Sequence, residues 1–357
     1  MKAAIISLGS QSSRWTRDEM TKLFSHVDDI RIKDLFVYLK EKDPMVLYNS
    51  KPLAHYDCVL AKGSFRFSPL LASITTIIRE GTYMPLESTT FMVGHNKLLT
   101  HLCLVEHGVP MPSTYLASTV DSARKLLKKM TFPIIMKFPE GTQGKGVMYA
   151  ESFGSASSIL DALTALRQPF LIQEYIETGG RDIRAIVVGD RVVAAMERKA
   201  EIGETRANIH AGGTGKKIII TAELQRIAVK SARAVKAEIC AVDILMSHKG
   251  PVVIEVNISP GLQGITAATS INVAKYIAEH LFKRTKEFKN GGKKKSSEEI
   301  LDDLGMSKPT VNEVITNLTF RGDTIILPSV ATRLSGFKEE DEFIIKTEKK
   351  RITIEKI

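Results

Sequence analysis

Pro133-Ile134-Ile135-Met136-Lys137-Phe138-Pro139-Glu140-Gly141-Thr142-Gln143-Gly144-Lys145-Gly146-Val147-Met148-Tyr149-Ala150 is an apolar run, a glycine-bearing loop and a second apolar run. The two runs read as strands, with Gly141, Gly144 and Gly146 as the permissive points between them. A Walker A loop or a dinucleotide fingerprint opens a helix directly after its glycines, whereas the next helical pattern here starts only near Ser155. Phosphate-binding amides in this loop would therefore belong to a hairpin. Lys137 interrupts Ile134, Ile135, Met136 and Phe138. Turned inward it needs an anion, for which nucleotide phosphates are natural; turned outward it is an ordinary residue of an alternating strand.

On the C-terminal side, Phe170–Tyr175, Ile183–Val188 and Val192–Glu197 read as strands, the last two forming a hairpin through Gly189-Asp190. A helix is expected over Glu223–Ala237. Strands follow at Ala241–Met246 and Val252–Val256, joined by His248-Lys249-Gly250, and then a single helix over Thr266–Arg284. On the N-terminal side, the strands Ala3–Ser7 and Cys58–Ala61 alternate with helical patterns at Thr16–Val27 and Ser68–Arg79, which predicts α/β structure with a parallel sheet. The helix carrying Leu98, Leu99, Leu102 and Val105 should stop at Gly108, before Pro110 and Pro112.

Asp243, Glu255 and Asn257 form the sharpest constellation. If their strands pair through the Lys249-Gly250 turn, Asp243 lies opposite the other two, which share a face by the period of two. Two carboxylates and an amide, with room left for water and phosphate oxygens, suit Mg²⁺. Glu255 also sits within the apolar run Val252, Val253, Ile254, Val256, where an unpaired carboxylate is costly. The bland alternative is a sheet edge carrying solvated acids. Lys97, Lys137, Arg184 and Arg206 form a cationic set. His95, His101 and His107 fall six apart, which rotates them around a helix and predicts no shared metal.

With 357 residues, 43% hydrophobic and 25% charged, the chain suits two or three soluble domains. No apolar stretch approaches the roughly 18 residues that span a bilayer, and no signal-peptide pattern opens the chain, so a cytoplasmic protein is expected. Cys58, Cys103 and Cys240 lack C-x-x-C spacing and predict neither zinc nor disulfides. The net charge of +10 is largely local: seven basic residues face one acid, Glu287, between Lys283 and Lys295. This reads as a solvated linker ahead of a nucleic-acid patch.

Several of these segments together resemble a known family. They are Met136 to Val147, Gln173-Glu174-Tyr175-Ile176, Asp182-Ile183-Arg184, Val187-Val188-Gly189-Asp190, Ala241-Val242-Asp243-Ile244-Leu245 and Glu255-Val256-Asn257-Ile258-Ser259-Pro260-Gly261-Leu262. In order and spacing, over about residues 1–284, they are similar to the RimK-like α-L-glutamate ligases of the ATP-grasp superfamily. The resemblance implies an α/β ATP-grasp fold: an N-terminal pre-ATP-grasp domain (1–90), a central α+β lid (91–178) and a larger α+β subdomain (179–288). It implies ATP and Mg²⁺ (or Mn²⁺) as cofactors. Lys97, Lys137, Gly141, Gln143, Gly144 and Gly146 would surround the nucleotide, with Gln173, Glu174, Tyr175 and Ile176 at the adenine and Asp182 near the ribose. The metal would sit on Asp243, Glu255 and Asn257, and Arg184, Arg206, Asn208 and His210 would meet the phosphates or an acyl intermediate. The implied reaction joins the amine of L-glutamate to an acceptor carboxylate, with another amino acid as the alternative. A protein C-terminus, a carrier protein or a glutamylated coenzyme would each serve as acceptor.

Beyond a basic linker and two short helices (289–318), residues 319–357 look like an AbrB-type swapped-hairpin module. That resemblance implies a homo-oligomer. A nucleotide-sensing DNA-binding regulator is the rival reading, weakened by a second helix that carries no Lys or Arg where DNA readers are usually basic.

Overall fold

Ala3 to Ile6 is apolar at four successive positions and buried at all of them, as a strand covered on both faces must be. The computed structural model describes residues 1–41, 43–141, 146–200, 214–291, 319–329, 331, 335–338, 341–348 and 351–356. Its N-terminal elements are β1 (Lys2–Ser7), α1 (Gln11–Met20), β2 (His26–Arg31), β3 (Leu35–Tyr38), β4 (Met45–Tyr48), β5 (Lys51–Pro52), β6 (Cys58–Ala61), α2 (Ser68–Ile78) and α3 (Ser88–Gly94). β1 is central in the order β2-β1-β6 and parallel to both neighbours. Ala4 and Ile6 join a cluster with Leu71 and Ile74 of α2; Ala3 and Ile5 join another with Met20 and Phe24. The helix expected over Thr16–Val27 instead starts at Gln11, where the Ser10 hydroxyl accepts from Ser13 N, and ends at Met20. Val27 pairs with Ala3 in β2. The Ser10 cap, an interaction worth about 1 kcal/mol, and strand pairing together override the helical spacing.

The second group comprises α4 (Lys97–Glu106), β7 (Thr114–Tyr115), α5 (Val120–Leu127), β8 (Ile134–Lys137), β9 (Val147–Ala150), α6 (Phe153–Ala165) and β10 (Leu171–Glu174). Asn96 caps α4 by accepting from Leu98 N and Leu99 N, and Gly108 follows its end at φ +57°, as expected. The sheet runs β7-β10-β8-β9 with every pair antiparallel. Leu127, Leu160 and Leu163 from α5 and α6 pack with Ile134, Met136 and Ile172. The glycine loop thus joins two paired strands. Gly146 holds φ +79°, and a Cβ there would clash with the Phe138 ring. Gly146→Ala is expected to lower stability by about 1–2 kcal/mol through backbone strain and this clash, read from the midpoint of urea unfolding.

The third group comprises β11 (Arg181–Val188), β12 (Arg191–Lys199), β13 (Thr214–Lys217), α7 (Ala222–Ala234), β14 (Ile239–Ser247), β15 (Gly250–Asn257), α8 (Gln263–Thr269) and α9 (Val273–Lys289). Its antiparallel sheet runs β13-β12-β11-β14-β15. Two bulges set its register. Between Ile186/Ala194 and Val187/Val192 the extra residue is Val193; between Asp243/Glu255 and Ile244/Val253 it is Ile254. The single helix expected over Thr266–Arg284 is two helices, because Ser270 turns left-handed at φ 57° and Asn272 caps the second by accepting from Lys275 N.

Residues 293–357 form a separate compact unit. Its described strands are two antiparallel hairpins, β16 (Thr319–Arg321) with β17 (Thr324–Ile326), and β18 (Phe343–Glu348) with β19 (Arg351–Lys356). The helices expected before Thr319 lie outside the described residues. No helix among those described is long and apolar enough to cross a membrane.

Candidate active site

The C-terminal end of β6, the start of α4, the ends of β8 and β10, and one face of β11, β14 and β15 converge on a cavity of about 570 Å³. Lys97, Lys137, Gly141, Gln173, Glu174, Tyr175 and Ile176 line it, as do Asp182, Arg184, Asp243, Glu255 and Asn257. Residues spread over 160 positions of sequence are thereby brought to one cleft. Gln143, Gly144, Arg206, Asn208 and His210 lie outside the described residues. Gly146 closes the hairpin against Phe138 and is not part of the wall.

Lys137 is turned inward. It is 5% exposed, and its ammonium donates to Gln173 Oε1 at 2.9 Å; the Gln173 amide in turn donates to Thr114 Oγ1 at 2.6 Å. Burial pushes its pKa down to about 7, with Glu255 opposing and Lys97 reinforcing the shift. Lys97 ties the start of α4 to the glycine loop: its backbone N donates to Pro139 O at 2.8 Å and its ammonium to Gly141 O at 3.2 Å. Two cations with few acceptors therefore border the loop, an arrangement that favours a polyanion.

The bulge at Ile254 places Asp243 directly across from Glu255, with Asn257 opposite Ala241 two residues on. Without the extra residue, Asp243 would face Ile254. Asp243 is 3% exposed and accepts from Arg184 Nε and Nη2 at 2.8 and 2.7 Å. Arg198 reaches the same carboxylate at 2.9 Å and binds Asp182 through two bonds of 2.6 Å. Sequence reading missed Arg198. It stands opposite Asp182 only because the Val193 bulge shifts the register by one. Burial alone would raise Asp243, but the Arg184 and Arg198 charges hold it far below the usual carboxylate range. Burial, with the Asp243 charge adding, pushes Asp182 up to about 6 against the pull of Arg198. Two acids and two arginines thus form one charge-balanced network, whose bidentate bonds offset desolvation costs of several kcal/mol per ion. Asp182 and Arg184 spend their charged groups on this network.

The three histidines share no helix face: His95 caps α3, His101 lies in α4 and His107 caps α4. His101 is buried in the cavity wall, and burial, with the Lys137 and Lys97 charges, pushes its pKa down to about 4. It is a neutral imidazole there. Among the described residues no group of three His, Cys, Asp or Glu side chains would hold a metal, so a cation here would need Asn257 beside the two carboxylates. Asp243, Glu255 and Asn257 supply the hard oxygens that Mg²⁺ prefers, all on one cavity wall.

A family model for the RimK-like ATP-grasp domain matches residues 94–281. A "Probable alpha-L-glutamate ligase" of Marinomonas sp. (strain MWYL1) is 38% identical over 295 residues, covering 79% of this chain and 96% of that protein. Another of the same name, from Halorhodospira halophila (strain DSM 244 / SL1), is 38% identical over 306 residues, covering 82% and 99%. Among solved structures, the ATP-grasp ligase PsnB, complexed with a phosphomimetic variant of its minimal precursor, Mg and ADP, superposes with a TM-score of 0.62 at 17% identity. That match covers 80% of this chain and 98% of PsnB. The chain therefore belongs to the RimK-like ATP-grasp family of ATP-dependent ligases.

Proposed function

We propose that this chain joins the amine of L-glutamate to an acceptor carboxylate, using ATP to activate that carboxylate as an acyl phosphate. The observation that carries the reading is the bulge-set register of Asp243 against Glu255, with Asn257 on the same wall and Lys137 and Lys97 lining the same cavity. The name of the 38%-identical relatives supports glutamate. In the first step an acceptor carboxylate oxygen bonds the γ-phosphorus while the bond to ADP breaks. In the second, the glutamate amine bonds the acyl carbon, phosphate leaves and the amine gives up a proton. A carboxylate needs this activation because direct attack would have to expel oxide.

Phosphoryl transfer asks for positioning and charge neutralisation. Lys137 and Lys97 provide both at the phosphates, while Gln173 to Ile176 hold the adenine and Asp182 lies near the ribose. Asp243, Glu255 and Asn257 would hold Mg²⁺, which supplies positive charge to the transferring phosphate; PsnB, with Mg and ADP bound, is a precedent in this fold. Arg184 keeps Asp243 ionised and oriented. Arg206, Asn208 and His210 complete the proposal as donors to the acyl phosphate or the tetrahedral oxyanion. Cell extract incubated with the protein, ATP, Mg²⁺ and isotopically labelled L-glutamate should yield a product heavier by one or more glutamyl units. Label incorporation from another amino acid, and none from glutamate, would reassign the substrate.

The second compact unit serves assembly in this proposal. Two separate two-stranded hairpins are too small to be stable alone, and Phe320, Ile345 and Ile352 are each more than half exposed. A second copy of the chain would cover these side chains and the open strand edges. Removing residues 293–357 is expected to cut the particle mass in light scattering by more than half, from a dimer to a shortened monomer, and to leave ligation within about twofold of the full chain. Lost ligation at unchanged mass would assign the unit to acceptor binding.

A further inference from the structure

Lys62 follows β6 at the mouth of the N-terminal sheet and is 9% exposed. Among the described residues its ammonium makes one hydrogen bond, donating to Pro260 O at 3.3 Å, and no ion pair. An ammonium has three N–H donors. Burying it with a single long bond to a neutral carbonyl and no counter-charge is costly, and burial alone pushes it down to about 8. A lysine placed only for structure would be paired or would snorkel to solvent. Lys62 instead lines the cavity, as do Ser10, Ser12 and Ser13 at the start of α1.

This wall is tied to the candidate metal site. Ser12 Oγ donates to Gln263 Oε1 and accepts from Leu262 N, both at 2.8 Å, and Gly63 N donates to Ser259 Oγ at 3.2 Å. The loop that receives these bonds begins two residues after Asn257. Ser10 caps the start of α1, but its first turn contains no acidic residue, so no side-chain charge neutralises its positive end. Lys97 and Lys137 stand with the glycine loop and Gln173, on elements other than these.

We infer that Lys62, backed by the Ser10–Ser13 end of α1, is the seat of a substrate carboxylate, a second anion site separate from the nucleotide phosphates. The inference rests on the ligase reading of the cleft and adds to it the residue that selects a carboxylate-bearing substrate. The chemistry is shared by the carboxylate of the incoming amino acid and that of the acceptor, and the two are separable by experiment.

The test uses the full chain with ADP and Mg²⁺ present, titrated calorimetrically with a panel of the common L-amino acids and with glutarate as a dicarboxylate lacking an amine. Lys62→Met keeps the length of the side chain and removes its charge; melting temperature reports whether the fold survives, and Lys62→Arg supplies a conservative second variant. The expected result is at least a tenfold loss of L-glutamate affinity in Lys62→Met, recovery in Lys62→Arg and unchanged ADP affinity. Loss confined to glutarate would support the site and assign it to the acceptor. Loss for a different amino acid, the wild type ignoring glutamate, would support the site and overturn glutamate as substrate. Unchanged carboxylate affinities in Lys62→Met, a loss of ADP affinity alone, or no carboxylate binding to the wild type would each overturn the inference.

Discussion

Glu255→Gln and Asp243→Asn are each expected to cut ATP-dependent ligation by at least about a thousandfold, roughly 4 kcal/mol of transition-state stabilisation, but with different effects on the fold. Glu255 forms no ion pair among the described residues, so its amide should leave the melting temperature near that of the wild type. Asp243 serves two guanidiniums. Its amide keeps the volume but leaves Arg184 without its carboxylate and Arg198 with Asp182 alone, and breaking a buried pair from one side typically costs about 3–5 kcal/mol. The Asp243 variant should therefore melt earlier as well as lose activity. Raising Mg²⁺ should partly restore Glu255→Gln if the loss is in metal affinity. A folded Glu255→Gln protein with wild-type turnover at ordinary Mg²⁺ would remove Glu255 from the metal set.

The contrast between these two acids explains what was legible in the sequence. Four strands of the five-stranded sheet were readable from their apolar runs, and both hairpin turns from Gly189-Asp190 and His248-Lys249-Gly250; the fifth, β13, is exposed along its length, carries no apolar run and was not read. Which side chains meet across those hairpins was legible only in part: Asp243 was expected opposite the Glu255 and Asn257 pair without an exact partner, and Asp182 had no partner assigned. Counting outward from either turn in perfect register pairs Asp182 with Glu197 and Asp243 with Ile254. The observed partners, Arg198 and Glu255, each require one extra residue, Val193 or Ile254. A bulge leaves little local signature in composition, because any residue that tolerates the altered backbone can occupy it. The candidate metal set could be drawn as a group from sequence because Glu255 and Asn257 share a strand, and the structure brings all three side chains to one cavity, whereas Arg198 was invisible until the register was known. Lys62 was hidden for a different reason. Its partner lies 198 residues away, and nothing in the Ala61-Lys62-Gly63 stretch distinguishes a buried ammonium from a surface one. Helix ends followed the same division: Gly108 announced the end of α4, while the left-handed Ser270 that splits α8 from α9 is a residue type found at many ordinary helix positions.

Lys137→Met is expected to weaken ATP binding about a hundredfold and to abolish a proton uptake that accompanies it. The ammonium is buried against Gln173 and near Glu255, and removing one member of a buried charge pair with phosphate costs about 2–5 kcal/mol, of which roughly 2.7 kcal/mol is a factor of a hundred. The proton follows from the same burial. Burial, only partly offset by Glu255 and deepened by Lys97, leaves Lys137 titrating near pH 7 with no nucleotide bound. An adjacent phosphate favours the charged form and raises that value. At pH 8 the side chain is therefore mostly neutral before binding and charged after it, so binding should take up nearly one proton; at pH 6 it is charged in both states and its share vanishes. Calorimetry at pH 8 in buffers of different ionisation enthalpy reads this uptake directly, and the difference between wild type and Lys137→Met isolates the lysine from the nucleotide's own titration. Lys62, seated at the carboxylate in our assignment, should leave the nucleotide-linked proton unchanged when replaced by Met. Equal uptake in wild type and Lys137→Met, or equal ATP affinity, would move the phosphates away from Lys137 and toward Lys97.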